Sequence, residues 1–222
     1  MYQLTEKNCV VYDVEIQREV HTVPNGWDNP GAMGMASAVT YDFATDQYDF
    51  FLGDAGHRQL LRKLHTRTVV GFNSVKFDSR VILGNARHIE DGCNSIITFA
   101  SDEVDLRVTG KPINFDNIDL ALFYIKARFL DPNKGTLLEA LRAMDEANIH
   151  DGTWTLDALC SATLNQSKSG HGALAPKLWQ ENKFDKLFAY NLHDVRLTRN
   201  LFLHILAHGT LRDGAGRLYT IH

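Results

Sequence analysis

CVVYDVEI, residues Cys9–Ile16, carries two acidic residues near the end of a largely apolar run. It is a β-branched run with alternation at its end, which predicts a strand. Asp13 and Glu15 stand two residues apart in this run, so both carboxylates point to the same face of the strand. Paired charges on an otherwise apolar strand are unfavourable unless a cation joins them. The alternative interpretation is a coincidental acidic pair on a solvent-facing strand surface.

The pattern after this strand predicts an α/β fold. A turn-rich segment, residues 19–35, leads to two further strands at 36–41 and 47–52. Helical and strand patterns then follow at residues 54–66, 68–72, 73–84, 113–124, 136–147, 155–164, 176–180 and 184–207. Three early strands followed by alternating helices and strands predict a mixed sheet flanked by helices. The chain has no repeat or composition break, so we expect a single domain over residues 1–222.

The composition limits the class of protein. A content of 44% hydrophobic and 23% charged residues is near the globular average and argues against a disordered or fibrous chain. No apolar run approaches the roughly 18 residues of a membrane span, so we expect a soluble, cytoplasmic protein without membrane association. A net charge of −4 provides no basic field of the kind that marks many nucleic-acid binders. Cys9, Cys93 and Cys160 lack the spacing of disulfides or zinc ligands and are expected to be buried free thiols.

A second acidic segment is GFNSVKFDSRVI, residues 71–82. It places Asn73 and Asp78 around a predicted junction of a strand and a helix. A purely structural interpretation is available, because Asn73 could cap the helix and Asp78 could be an early-helix acid favoured by the helix dipole. Phe77 could then belong to the core. We interpret Asp116 and Asp119 in a similar way, as turn and helix-start residues.

A third segment, YNLHD, residues 190–194, lies in the last predicted helix. Tyr190 and Asp194 are four residues apart and therefore share one face of the helix, to one side of an apolar stripe. His193 lies about 100° around the helix from Asp194 and is expected to face solvent. The predicted apolar stripe consists of Phe184, Phe188, Val195, Phe202 and Leu206.

Together the three segments resemble the motifs of the DEDD superfamily of 3′-to-5′ exonucleases. YDVE, residues 12–15, resembles the first motif, NSVKFD, residues 73–78, the second, and YNLHD the third. The sequence DVRLTRNLF, residues 194–202, looks like the end of bacterial and phage exonuclease domains and is similar to the proofreading domain of family B polymerases. The resemblance covers about residues 8–208 and implies a ribonuclease H-like fold.

The resemblance implies an enzyme that hydrolyses DNA or RNA from a 3′ end, above all a single-stranded one, with two Mg²⁺ or Mn²⁺ ions. Asp13 would bridge both ions, while Glu15 and Asp194 would complete the site of the ion that activates water. Asp78 would hold the second ion. Carboxylates are suitable ligands for these hard cations.

The resemblance also assigns roles beyond the metal ligands. The histidine-type subclass would need a histidine five residues before Asp194, where Ala189 stands, whereas Tyr190 occupies the position that the tyrosine type requires. Tyr190 would orient the attacking water, since a phenol with an ordinary pKa near 10 is a poor base at neutral pH. Asn73 and Phe77 would line the approach of the terminal nucleotide.

The sequence leaves alternatives to an exonuclease open. One is a structure-specific endonuclease or RNA-processing nuclease on the same metal site. Another is a ribonuclease H-like module that binds nucleic acid without catalysis, and a third is an α/β protein with coincidental acids. Outside the motifs, we expect substrate contacts from Trp27 in the 19–35 loop and from the segment 168–177. A separate replication or repair protein would be compatible with this function as a partner.

Overall fold

The chain forms a seven-stranded sheet packed against helices, as described by a computed structural model for residues 8–100, 108–131, 134–147, 151–168, 170 and 172–221. In these residues the strands are β1 (Cys9–Ile16), β2 (Met35–Asp42), β3 (Gln47–Leu52), β4 (Thr68–Gly71), β5 (His88–Asp91), β6 (Ile96–Phe99), β7 (Asn114–Asp119), β8 (Thr210–Arg212) and β9 (Leu218–Thr220). The helices are α1 (Gly53–Leu64), α2 (Asp78–Leu83), α3 (Leu120–Phe129), α4 (Leu137–Glu146), α5 (Leu156–Leu164), α6 (Ala175–Gln180) and α7 (Phe184–His208).

The main sheet has the strand order β3-β2-β1-β4-β7-β6-β5. β1, β4 and β7 run parallel to one another, and every other neighbouring pair in this sheet is antiparallel. Parallel neighbours cannot be joined by a tight hairpin, so the chain makes longer connections that contain α1 and α2. This mixed sheet flanked by helices confirms the predicted fold class and is consistent with a ribonuclease H-like arrangement.

Alternation along β1 decides which side chains face which layer of helices. Val10 packs in one core cluster, with apolar residues of α1 and α2. Val11 packs in the other cluster, together with Val195 of α7. Because side chains alternate along a strand, Asp13 and Glu15 continue the Val11 face and point toward α7. The apolar residues on this face of β1 thus pack against α7, the helix that carries the third acidic segment.

The second acidic segment begins with a loop rather than with the helix predicted at 73–84. Asn73 has a φ of 57°, a left-handed conformation that an α-helix cannot continue through, and α2 begins only at Asp78. Gly71 is required at the start of this loop, since a Cβ there would lie 2.4 Å from the Cβ of Ser74. The loop therefore turns sharply away from β4 and brings Asp78 back toward β1.

The sequence pattern does not predict β5, β6, β8 or β9. β5 lies at the edge of the sheet and contains no buried residue, so it lacks the alternation that marks a half-buried strand. Asp116 lies within β7, which corrects its interpretation as a turn residue. Asp119 caps the start of α3 as predicted, and its Oδ1 accepts the N–H of Ala121 at 3.0 Å.

The structure bears on two expectations from the composition, which concern membrane spans and the burial of the cysteines. Across the part of the chain that the structure describes, every helix is too short or too polar to cross a lipid bilayer. Cys9 and Cys160 are buried as expected, whereas Cys93 is exposed, which corrects the expectation of three buried thiols.

Candidate metal centre

Three carboxylates from two elements meet between β1 and α7. Asp13 and Glu15 on β1 and Asp194 on α7 each offer one oxygen, and these oxygens lie within 4.8 Å of one another. Glu15 and Asp194 are buried, while Asp13 is partly exposed. Hard divalent cations prefer oxygen ligands, so this acidic cluster could hold a metal ion.

An unpartnered oxygen shows that the acidic cluster fits a cation. Asp194 Oδ1 is buried and accepts no hydrogen bond from the described residues. A buried polar atom without a partner is unfavourable, and a carboxylate oxygen can be satisfied by a positively charged ligand. The three carboxylates, one of which has this unpartnered oxygen, together fit a divalent metal ion.

Asp78 approaches the acidic cluster from α2 and is held by the main chain of β1. Its Oδ1 accepts the N–H of Val14 at 2.8 Å. β4 pairs with β1 only as far as Val11, so the N–H of Val14 lies beyond the end of β4 and is available to a side chain. Asp78 does not contribute to the group of three close oxygens, but its charge reaches that group. Burial and then the charge of Asp78 raise the pKa of Asp13.

Burial raises the pKa of all four acids, and repulsion within the cluster raises the pKa of Asp13 and Glu15 further. For Asp13 and Glu15 burial is the largest cause, followed by Asp78 and Asp194 respectively, and both pKa values lie well above their ordinary range. Burial raises the pKa of Asp78 to about 7 and also raises that of Asp194. Without a metal ion, these carboxyl groups therefore retain protons at pH values where isolated ones have lost them.

Lys168 brings a positive charge to the acidic cluster. Its Nζ lies 2.5 Å from Asp194 Oδ2 and 3.4 Å from the hydroxyl of Tyr190. Burial alone would lower the pKa of this ammonium, but the charges of Asp194 and Asp13 outweigh burial and raise it. Lys168 thus belongs to the site itself, whereas the sequence placed it in a segment of substrate contacts. Residues 169 and 171 of that segment lie outside the described residues.

Asn191 fixes Asp13 from the side of α7. Its Nδ2 donates to Asp13 Oδ2 at 2.9 Å, and the asparagine is fully buried. Sequence reasoning missed Asn191, and it included Lys168 only as part of a segment of substrate contacts. The position of Asn191 could have been inferred, because it stands three residues before Asp194 and so shares its helix face. The place of Lys168 in the acidic cluster could not, because Lys168 lies in an irregular segment whose position no periodicity predicts.

Tyr190 lies beside the acidic cluster, while His193 contacts a neighbouring segment. Burial and then the charge of Asp194 raise the pKa of Tyr190, so its hydroxyl stays protonated. His193, expected to face solvent, is instead partly buried, and its Nε2 lies 2.9 Å from the main-chain oxygen of Ser167. The histidine therefore anchors the residue that precedes Lys168.

The most buried face of α7 is the one that carries Tyr190 and Asp194. Both residues are buried, whereas Phe184, Phe188 and Leu206 of the predicted stripe are only partly buried. The prediction is confirmed at Val195 and Phe202, which are fully buried, but the centre of the buried face lies to the side of the stripe that carries Tyr190 and Asp194. A projection of apolar residues cannot anticipate that polar side chains are buried because they face the acids of β1.

A cleft of about 980 Å³ leads to the acidic cluster. Glu15 lines this cleft together with Asn73, Phe77 and, from the 19–35 loop, Trp27. The main-chain N–H of Asn73 donates to Asp119 Oδ1 at 2.8 Å, which fixes the loop that precedes α2. The residues expected near a substrate therefore share one cleft with an acid of the cluster.

Comparison with known proteins assigns no family to this chain. No protein-family model matches the chain, and a search of curated proteins gave no match.

Proposed function

We propose that this chain is a metal-dependent 3′-to-5′ exonuclease that hydrolyses phosphodiester bonds of DNA or RNA with two Mg²⁺ or Mn²⁺ ions. The supporting observation is that Asp13, Glu15 and Asp194 present carboxylate oxygens within 4.8 Å of one another. Asp78 and Tyr190 stand next to this group, and all five residues belong to the motifs that resemble the tyrosine-type exonucleases. That resemblance is the basis for proposing attack at a 3′ end.

The acids would act by holding cations at the point where the cleft meets β1. Two bound divalent cations would supply an activated water and stabilise negative charge on the phosphoryl and leaving oxygens. Asp13, Glu15 and Asp194 provide ligand oxygens from one side, and Asp78 provides a carboxylate from α2. Asn191 restrains the carboxylate of Asp13 before any ligand binds, which reduces the entropy lost on binding.

Tyr190 and Lys168 would position reactants around these cations. The hydroxyl of Tyr190 can hydrogen-bond a water, and a phenol with an ordinary pKa near 10 is a poor base near neutral pH. The ammonium of Lys168 is held between Tyr190 and Asp194, where it can pair with an oxygen of an entering phosphodiester.

We expect hydrolysis of a 5′-labelled single strand to require a divalent cation and to shorten the strand from its 3′ end one nucleotide at a time. Products are resolved on a denaturing gel with Mg²⁺, Mn²⁺ or excess chelator. A 3′ phosphate should slow the reaction, because it blocks the end that enters the site. Full hydrolysis in chelator would contradict the proposal. Early internal cuts in a circular single strand would favour an endonuclease, and binding without hydrolysis would favour a non-catalytic module.

We expect Tyr190→Phe to lower the hydrolysis rate by roughly tenfold to a thousandfold, because the variant keeps the ring but loses the hydroxyl that orients water. His193→Ala is the matched control on the same helix. It should keep the rate within a few-fold, since His193 contacts Ser167 rather than the acids. Rates are measured at saturating Mg²⁺, with metal binding checked by calorimetry. A strongly impaired His193→Ala beside a nearly normal Tyr190→Phe would show that the tyrosine-type assignment is wrong.

A further inference from the structure

Two histidines lie side by side at the end of α7, away from the acidic cluster. His204 and His208 are four residues apart, so their side chains leave the same face of the helix one turn from each other. Their ring centroids are 4.5 Å apart, with an angle of 45° between the ring planes. His204 is partly buried and His208 is exposed, so solvent reaches both rings. The pair therefore presents the nitrogens of two imidazoles at one accessible point of the surface.

This pair differs from the other histidines in having no partner outside itself. Within the residues that the structure describes, neither His204 nor His208 makes a hydrogen bond or an ion pair with another side chain or with the main chain. By contrast, a second set of described histidines each contact a carboxylate or a main-chain group: His21, His57, His65, His88 and His193. The nitrogens of the pair are thus free to bind a ligand from solution.

The end of α7 favours neutral imidazoles and a bound cation. Burial, and then the neighbouring ring of His208, lowers the pKa of His204, so this ring is neutral near pH 7. Neutral imidazole is the form that binds metal ions. The helix ends at Gly209, whose φ of 63° allows its N–H to bond the main-chain oxygen of Ile205 at 2.7 Å. The carbonyl groups at this end carry partial negative charge, which attracts a cation.

The donor atoms decide which class of ion this pair fits. Imidazole nitrogens suit Zn²⁺, Ni²⁺ and Cu²⁺, whereas Mg²⁺ and Mn²⁺ prefer carboxylate oxygens. Histidines four residues apart on one face of a helix can bind a single zinc ion. Across the described part of the chain, three or more candidate ligands come together only in the acidic cluster, so water would complete the coordination at the pair. Asp194 of that cluster lies about 15 Å from His204 along the helix axis, at 1.5 Å per residue.

We propose that His204 and His208 together bind one transition-metal ion, Zn²⁺, Ni²⁺ or Cu²⁺, at the end of α7. The ion would cross-link the last turn of the helix. That turn leads directly into β8, and the main-chain oxygen of Gly209 accepts the N–H of Ile221 just after β9 at 2.8 Å. The site is independent of the proposed function, because it shares no ligand with the acidic cluster.

Calorimetric titration of the full chain with Ni²⁺, in excess Mg²⁺ to compete at the acidic cluster, tests this site. We expect His204→Gln and His208→Gln each to weaken Ni²⁺ binding at the pair at least about tenfold, since even the loss of a group that only supports a ligand costs tenfold to a hundredfold. His88→Gln is the matched control, because His88 is also exposed but pairs with Glu90. It should bind Ni²⁺ like the wild type. Unchanged binding in either variant of the pair would overturn the site.

The double variant distinguishes one shared ion from two separate histidines. His204→Gln with His208→Gln should bind Ni²⁺ about as weakly as either single variant, because each single change already breaks the chelate. Losses that multiply in the double variant would show two independent ligands and overturn the proposal.

NMR of the histidine rings gives a readout that does not depend on affinity. One equivalent of Zn²⁺ should shift the ring signals of His204 and His208 together and leave those of His88 in place. The same joint shift should persist in Asp13→Asn, since the acidic cluster contributes no ligand. A shift of only one ring of the pair, or loss of the joint shift in Asp13→Asn, would contradict a site formed by the two histidines.

Discussion

Replacement of Asp13 by Asn should lower metal-dependent hydrolysis at least about a hundredfold, because Asp13 is the acid proposed to bind both cations. The change is nearly isosteric, and the new amide oxygen can still accept the hydrogen bond from Asn191. The loss is therefore expected in metal binding, which calorimetry with Mn²⁺ measures directly. Asp91→Asn, a change at an exposed acid of β5, should leave the rate unaltered. An unchanged rate in Asp13→Asn would remove Asp13 from the site.

The same variant should be more stable than the wild type when no metal is present. Asp78 has a pKa of about 7 in the folded protein, raised first by burial, against about 4 for an unfolded chain. Between these values the folded state holds protons that the unfolded state has released, so stability without metal falls as pH rises through this window. Asp13→Asn removes Asp13 itself, an acid whose pKa burial and the charge of Asp78 raise well above its ordinary range, and should reduce that fall. Melting temperatures in chelator from about pH 5 to pH 8 measure the effect.

Metal should reverse this pH dependence in the wild type. Mg²⁺ or Mn²⁺ should raise its melting temperature more at about pH 8 than at pH 5, because the ion competes with protons for the carboxylates. Asp13→Asn should respond weakly at either pH. A variant that melts below the wild type in chelator at the higher pH would show that the charge of Asp13 stabilises the fold.

Replacement of Lys168 by Met should destabilise the protein by roughly 3 kcal/mol when no metal is present, because it leaves Asp194 buried without its partner. Methionine keeps the length of the side chain and removes the charge. Urea unfolding in chelator measures the change. Lys177→Met is the matched control, since Lys177 is 67% exposed and its Nζ lies 4.0 Å from Glu181. We expect no change in its free energy of unfolding.

A second substitution separates the lost charge from lost packing. Asp194→Asn in the Lys168→Met protein removes the unpaired acid and should recover most of the stability. Mn²⁺ should also narrow the difference between Lys168→Met and the wild type, because the cation takes over the neutralising role of the ammonium. Equal losses in Lys168→Met and Lys177→Met, or no recovery in the double variant, would show that Lys168 does not neutralise Asp194.

The elements whose signals are local can be predicted from the sequence. The strand at Cys9–Ile16 was predicted with its observed bounds, because an apolar run with acids two residues apart has a strand period. The helix of Tyr190 and Asp194 was predicted within a residue at its end, and their spacing places them on one face. The structure brings Asp13, Glu15 and Asp194 into one group, as expected if the motifs form one site.

The contacts between these elements depend on the folded chain. Asp78 is fixed by the N–H of Val14, 64 residues away, because β4 ends before it reaches that position. Lys168 enters the acidic cluster from an irregular segment that no periodic pattern could place. The buried face of α7 includes Tyr190, Asn191 and Asp194 beside apolar residues because it covers the acids of β1, so apolar periodicity alone could not predict the centre of this face. Local patterns encode helices and strands, whereas these contacts arise between residues distant in sequence, where burial and charge act only once the chain has folded.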